Sequence, residues 1–304
     1  MDVAHLRLLR ELADRHSITE VARATGKTTS AVSQQLRLLQ RDVGVTLIER
    51  EGRGVRLTDA GLALAATARR LATAVADAEA EWDRYRQTAA GTVRLAYFYS
   101  AGEVLIPGLL RRMAAVPEIE LITGERDLGE DEFAAETADF DIVIAHSADY
   151  GREPVREGLE VVRLFREPVD VAVAVDHELA SAESVTADQV IDEPWIAAPE
   201  EFPLDRVLTA LAMQAGRPAT IIFRTTHLPL MELLVAAGEG AALLPRHSSR
   251  TRAAGHFALL PLAGLRGGRY VEALSRPDRA ARQAVKVVLA ALAEEAAAVE
   301  ATTP

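Results

Sequence analysis

Apolar positions along residues 17–50 recur at helical spacing in two short runs separated by a glycine. Val21, Ala22 and Ala24 make the first stripe; Val32, Leu36 and Leu39 make the second. Ser17 with Glu20 three residues on predicts a capping box, Gly26 predicts the stop, and Thr28 or Thr29 predicts the next cap. The polar face of the second helix holds Thr29, Ser30, Ser33, Gln34 and Arg37, with Thr28 at its start and no carboxylate among them. Such a face suits the acceptor-rich base edges and phosphates of a DNA major groove. Residues 47–50 and 55–57 then read as strands around Glu51-Gly52-Arg53-Gly54. This predicts a hairpin wing that carries Arg53 to a minor groove. An ordinary two-helix hairpin would predict the helix pair equally well. The wing and a local excess of eight Lys/Arg over four Asp/Glu between residues 15 and 56 favour nucleic acid.

Residues 58–88 predict one long helix. Leu64, Ala68, Leu71, Val75, Ala78, Trp82 and Tyr85 alternate steps of four and three. That is a 3.5-residue repeat, expected of a coiled-coil seam. A helix packed on its own domain would follow a 3.6-residue period instead. Residues 88–91 read as a hinge. Beyond it strands and helices alternate: strands at 93–98, 119–122 and 140–145, and a helix at 104–115. After about residue 164 a second series follows, with strands at 169–175, 195–197, 221–223 and 241–244 and helices at 204–215 and 230–237. A strand at 270–274 and a helix at 279–298 close the chain. Alternation of this kind predicts an α/β unit with a parallel sheet.

The first sixty residues resemble the winged-helix N-terminus of the LysR-type transcriptional regulators. The matching pieces are Ser17-Ile18-Thr19 with Val21-Ala22, Ala31-Val32-Ser33 with Leu36, Gly44-Val45, Leu47-Ile48-Glu49-Arg50 and Arg56-Leu57-Thr58-Asp59-Ala60-Gly61. Two positions depart. Thr28-Thr29-Ser30 stands where the family usually has Ser-Gln-Pro, and Gln40 stands where it usually has glutamate. The remainder resembles the effector-binding domain of the same family through Gly91-Thr92-Val93-Arg94-Leu95, Phe140-Asp141-Ile142-Val143-Ile144, His177-Glu178-Leu179-Ala180 and residues 238–245. The resemblance implies an α/β chain in three parts. Residues 1–58 form a winged helix-turn-helix, 59–90 a linker and dimerisation helix, and 91–304 a two-lobed domain like a periplasmic solute-binding protein. Lobe I takes residues 91–164 and 266–304, and lobe II residues 165–265.

In an open α/β sheet ligands gather at the C-terminal ends of the strands, and two lobes turn that rim into a cleft. The loops that line the co-inducer pocket in the family place Tyr97, Ser100, Ala101, His146, Ala198, Thr225, Thr226 and His227 there. Ser100 and Thr225 serve equally as helix caps, and either histidine as an ordinary loop residue. Glu103 opposes an anion and suits an amine, so amino acids, aromatic acids and cationic metabolites all stay open.

Charge sharpens the division. The formal net charge of −11 is unevenly spread: residues 1–90 hold fourteen Lys/Arg and twelve Asp/Glu, the rest twenty and thirty-three. Only the N-terminal part is therefore expected to meet DNA. With no cysteine, thiol-based sensing and disulfides are excluded. The scattered histidines give no metal spacing, and neither a nucleophile elbow nor a phosphate loop occurs, so no catalytic, cofactor or metal site is expected. No apolar run nears the ~20 residues of a membrane span. The expected protein is a cytoplasmic, sequence-specific DNA-binding regulator, homodimeric or homotetrameric. Its partners would be operator DNA, a small-molecule effector and RNA polymerase. Alternatives are an architectural DNA binder without ligand, or a solute-binding module.

Overall fold

The computed structural model describes residues 1–52, 54–86, 89–148, 156, 158–200 and 202–301. The head comprises α1 (Val3–Arg15), α2 (Ile18–Thr25), α3 (Thr29–Val43) and a hairpin of β1 (Ile48–Glu51) and β2 (Gly54–Leu57). Leu9, Val21, Val32, Leu36 and Leu39 are wholly or almost wholly buried in one core with Leu47 and Leu57. Each such side chain contributes about 1.5–3 kcal/mol of burial. Ser17 Oγ accepts from the Glu20 N–H, but the Glu20 carboxylate turns to Arg23 at 2.8 Å, so only half of the expected capping box forms. Thr28 Oγ1 accepts from the Ala31 N–H at 3.2 Å and caps α3. Gly26 ends α2 at φ 64°, where a side chain would be strained. Gln40 has a structural role: its Oε1 accepts from the N–H groups of Leu47 and Ile48 at 2.8 and 3.0 Å, pinning the entry to the hairpin.

The linker helix α4 (Asp59–Tyr85) is capped by Thr58. It begins against the base of the hairpin, where a Cβ on Gly61 would lie 2.2 Å from the Leu47 carbonyl oxygen. Its seam splits. Ala68 is buried, whereas Leu71, Val75, Trp82 and Tyr85 are exposed. Ala65, Ala76 and Ala80 bury a second, small-residue stripe.

The C-terminal part follows in chain order: β3 (Gly91–Tyr97), α5 (Tyr99–Met113), β4 (Ile119–Glu125), α6 (Phe133–Glu136), β5 (Ile142–Ala148) and β6 (Glu160–Ala174). Next come α7 (Ala187–Val190), β7 (Pro194–Ala197), α8 (Pro203–Ala215), β8 (Thr220–Arg224), α9 (Leu228–Ala236), β9 (Ala241–Pro245), α10 (Arg246–Ala253) and β10 (Phe257–Leu260). β11 (Gly268–Ser275), α11 (Pro277–Ala280) and α12 (Gln283–Ala301) complete it. Strand order is β4-β3-β5-β11-β6-β9-β7-β8, with β10 also on β6. The sheet is mixed rather than parallel, because β11 returns antiparallel to both β5 and β6.

Three expectations are corrected here. The strand expected at 169–175 begins earlier, at Glu160, since β6 is one 15-residue strand. It pairs with β11 through residues 160–168 and with β9 through 169–172, so one strand serves both lobes. The first helix of lobe I begins at Tyr99, not 104, because small buried Ser100, Ala101 and Gly102 let it start at the strand's end. The closing helix is two, α11 and α12. Separate cores flank the shared strands: Leu95, Leu105, Phe133, Ile144 and Val288 in one lobe, and Val171, Ile191, Trp195, Leu211 and Leu243 in the other.

Candidate functional site

Two sites are built by this arrangement. Thr28, the cap of α3, and Thr29, Ser30, Gln34 and Arg37 on the helix are exposed and Ser33 is half-buried; Ser30, Gln34 and Arg37 point away from the buried stripe Val32, Leu36 and Leu39. A groove of about 470 Å³ runs beside them, lined by Gln34, Arg37, Gln40 and Arg41. The hairpin stands next to it, with Arg56 on β2 paired to Glu49 on β1. Arg53 lies outside the described residues. A donor-rich helix beside a two-stranded wing offers a helix to a major groove and a hairpin to the flanking groove.

The second site is the junction of the lobes. Ser100 sits in the first turn of α5 rather than in a loop before it, and its hydroxyl accepts from Arg269 Nη2 at 2.7 Å. His146 lies within β5 rather than after it, opposite Val271 of β11. The strand is longer than its apolar run because β11 pairs with it as far as Ala148. His146 stacks edge-on against Phe98 and Phe133, each at 5.1 Å. Burial, reinforced by Arg269 and Arg156, holds its pKa well below 6.5, so the ring is neutral and Glu130 at 3.8 Å is no ion-pair partner. The Tyr97 ring lies over Gly102, and Ala101 is fully buried.

On the other lobe the Ala198 carbonyl is taken by Arg224. Thr225 Oγ1 accepts from the His227 N–H at 3.1 Å, forming a local turn. Thr226 and His227 are exposed, and His227 precedes α9 without capping it by its side chain. Thus Ser100 and His146 share one cluster with Phe98 and Arg269. Ala198, Thr225 and His227 form a second group on lobe II, whose hydrogen bonds stay within that lobe.

Arg269 was missed by sequence reasoning. It stands at the start of β11, beside the glycine pair 267–268 that reads as a turn, and its register places it between Ala148 and Glu167. Its guanidinium lies over the Phe98 ring at 4.7 Å. No carboxylate is within ion-pairing distance among the described residues, and its Nε is buried without a partner. Around it, Glu167 Oε2, Ser248 Oγ and Ser249 Oγ are buried and equally unpartnered. Glu167 Oε1 accepts from the His247 N–H at 2.6 Å at the start of α10. Burial pushes the Glu167 carboxyl above the usual range, against the pull of Arg269 and His247. Glu103 is already engaged: it pairs with Arg252, which also grips Glu232 on α9 at 2.8 Å, tying α5 to lobe II. With that acid engaged, Arg269 is left facing Glu167 across the β6–β11 register and drawn to Glu130 and Asp127, without a salt bridge to any of them. Buried polar atoms left unpaired cost free energy, and a bound anion would relieve Arg269.

Comparison with known proteins settles the family. The model described as "Bacterial regulatory helix-turn-helix protein, lysR family" matches residues 3–62, and the "LysR substrate binding domain" matches residues 86–297. The chain belongs to the LysR family. It is a LysR-type DNA-binding transcriptional regulator with an effector-binding domain. Among its relatives, the transcriptional dual regulator GltC of Bacillus subtilis is 26% identical over 249 residues, 81% of each chain. The dual regulator OxyR of Escherichia coli is 26% identical over 246 residues, covering 81% of this chain and 79% of its own. A full-length OxyR point variant of Pseudomonas aeruginosa shares the fold at a TM-score of 0.65, with 21% identity and 97% and 94% coverage. CbnR complexed with its target DNA shares it at 0.53, with 21% identity and 97% and 100% coverage. This LysR-family chain has no cysteine. Among the described residues no helix is long and apolar enough to cross a membrane, and no acidic, His or Cys group could hold a metal ion.

Proposed function

We propose that this regulator reads a two-fold operator with α3 and responds to a small carboxylate held where its lobes meet. Thr28, Thr29, Ser30, Ser33, Gln34 and Arg37 face the major groove and Arg53 the minor groove. Residues 1–58 read DNA, 59–90 space and dimerise, and 91–304 sense. The observation that carries the sensing half is Arg269, held by Ser100, with its Nε unpartnered and no salt bridge among the described residues. A carboxylate completes Arg269 through charge-assisted hydrogen bonds. An amine is disfavoured because Arg252 occupies Glu103.

The exposed seam of Leu71, Val75, Trp82 and Tyr85 supports self-association. Two copies supply the paired recognition helices that a two-fold site needs, and a tetramer is two such pairs. Ligand that prefers one lobe arrangement shifts the spacing of the heads. The protein works in the cytoplasm, on DNA, with RNA polymerase as the partner that turns binding into transcription.

The DNA half is tested by two variants in binding assays at several salt concentrations. Arg53→Ala weakens binding to operator and unrelated DNA alike and lowers the salt slope by about one. Thr29→Ala changes discrimination between operators instead. Both variants binding like the parent would overturn the assignment.

A further inference from the structure

The head and lobe I form an open cleft of about 670 Å³ that is remote from the lobe junction. Arg15 and Arg23 line it from the head, and Arg94, Arg126, Arg279 and Arg282 from lobe I. It opens at the N-terminal ends of β3 and β5, where Thr92 and Asp141 lie, whereas the candidate effector site uses the C-terminal ends of the same strands. Six arginines on its wall face two aspartates, Asp139 and Asp141.

Docking of head on lobe explains part of this charge. Asp139 meets Arg15 at 2.9 Å and Arg23 at 3.9 Å. A single oxygen of Asp141 takes both Arg279 at 3.1 Å and Arg282 at 2.9 Å, and its other oxygen accepts the Arg94 N–H. Each aspartate therefore serves two guanidiniums. Glu20 and Glu136 engage Arg23 and Arg126 at 2.8 and 3.0 Å. The exposed Arg94 guanidinium has no partner among the described residues, although it is on the same wall. Like charges crowded on a concave, partly desolvated surface repel unless a counter-charge enters. Arg279 registers the crowding: burial lowers its pKa, and Arg276 and Arg282 lower it further against the pull of Asp141.

We propose that this cavity binds a small phosphorylated metabolite with two or more phosphates, bridging the head to lobe I as a second effector site. Guanidinium groups match phosphate oxygens in pairs; five of the six share Glu11, Glu20, Glu136, Asp139 and Asp141, which leaves Arg94 as the cation on this wall without a partner among the described residues. The volume lies within the range of small-molecule sites. Bound there, it ties α2 and the end of α1 to lobe I and restricts how the heads move.

The test is calorimetry on the full-length protein, titrated separately with inorganic tripolyphosphate, ADP and inorganic phosphate. Tripolyphosphate and ADP bind saturably and raise the melting temperature, while inorganic phosphate binds far more weakly. Arg94→Gln, which removes a guanidinium free of structural ion pairs, weakens tripolyphosphate about tenfold without moving the unliganded melting temperature or operator binding. Arg126→Gln weakens it as well. Absence of saturable binding, or binding indifferent to both substitutions, overturns the proposal. So does displacement of tripolyphosphate by operator DNA, or weaker operator binding by Arg94→Gln alone, because the phosphates would then be those of DNA.

Discussion

Lobe I has two polar boundaries, and they are built on opposite terms. Toward the head, its charges are matched. Arg276 reaches Asp14 at 2.8 Å and Asp278 at 3.3 Å, Arg10 reaches Asp278 at 2.8 Å, and Glu11 receives Arg10 and Arg15 at 3.1 Å each. Arg10, Glu11 and Arg276 are almost fully buried. Burial alone would raise Glu11, but Arg276 and Arg10 outweigh it and the carboxyl sits below its ordinary range; Asp278 behaves likewise. Arg10, Asp14 and Arg276 each keep a buried atom without a hydrogen bond, as Arg269, Glu167, Ser248 and Ser249 do toward lobe II, but Arg269 differs in having no salt bridge among the described residues. An ion-paired buried network fixes one geometry, while a buried cation without a salt bridge leaves room for a bound anion to complete it. The head boundary is a joint, and the lobe boundary is where the effector is proposed to bind.

The joint breaks hardest. Arg276→Ala strips the shared cation from Asp14, Asp278 and Glu11, which keep Arg69, Arg10 and Arg15, and losing charge-assisted hydrogen bonds at a buried site costs roughly 1.5–3 kcal/mol. The expected result is a clear fall in melting temperature and faster amide exchange in α1 and α11. Acid attacks the same place. Since Glu11 and Asp278 titrate lower folded than unfolded, their stabilisation is present above about pH 4 and is lost as pH falls below it. A pH series of melting curves on wild type and Glu11→Gln should show the Glu11 share of that loss only in wild type.

The lobe boundary breaks differently. Arg269→Gln removes the unpaired cation, so it should abolish the response to carboxylate while sparing operator affinity in its absence. Next in size is the pH dependence of His146. Its folded pKa is depressed, so its contribution is present above about pH 6.5 and declines as pH drops from there toward the folded value. Glu130, Arg156 and Arg269 face it, and His146→Leu should flatten the stability slope between about pH 7 and 5. The smallest effect belongs to Glu103→Gln. It unties α5 from Arg252, which keeps Glu232; at a partly exposed pair the expected cost is up to about 1 kcal/mol. Amide exchange in α10 should rise, with little change in melting temperature.

The head was legible because its determinants are local. Ser17, Gly26, Thr28 and the stripe Val32, Leu36 and Leu39 act within a few residues of where they stand. The lobe boundary was legible only in outline. Ser100 and His146 could be placed near strand ends, but Arg269 reaches Ser100 across 169 positions of sequence. Nothing in the run after Gly268 marks its arginine as different from a surface one. The shared strand β6 was hidden for a similar reason: its Arg163 and Glu167 interrupt the apolar pattern, and only pairing with β11 makes it continuous. The 3.5-residue repeat of α4 is a property of the sequence, whereas the alanine stripe that the helix turns inward follows from contacts with the rest of the chain.

Control of DNA binding by a carboxylate at Arg269 is best tried by footprinting on the DNA upstream of the protein's own gene. Wild-type protein and Arg269→Gln are compared with and without pooled small carboxylates. The expected outcome is a two-fold protected site whose extent shifts with one pool in wild type and does not shift in Arg269→Gln. A shift that persists in Arg269→Gln, or a footprint in wild type unmoved by every pool, would contradict it.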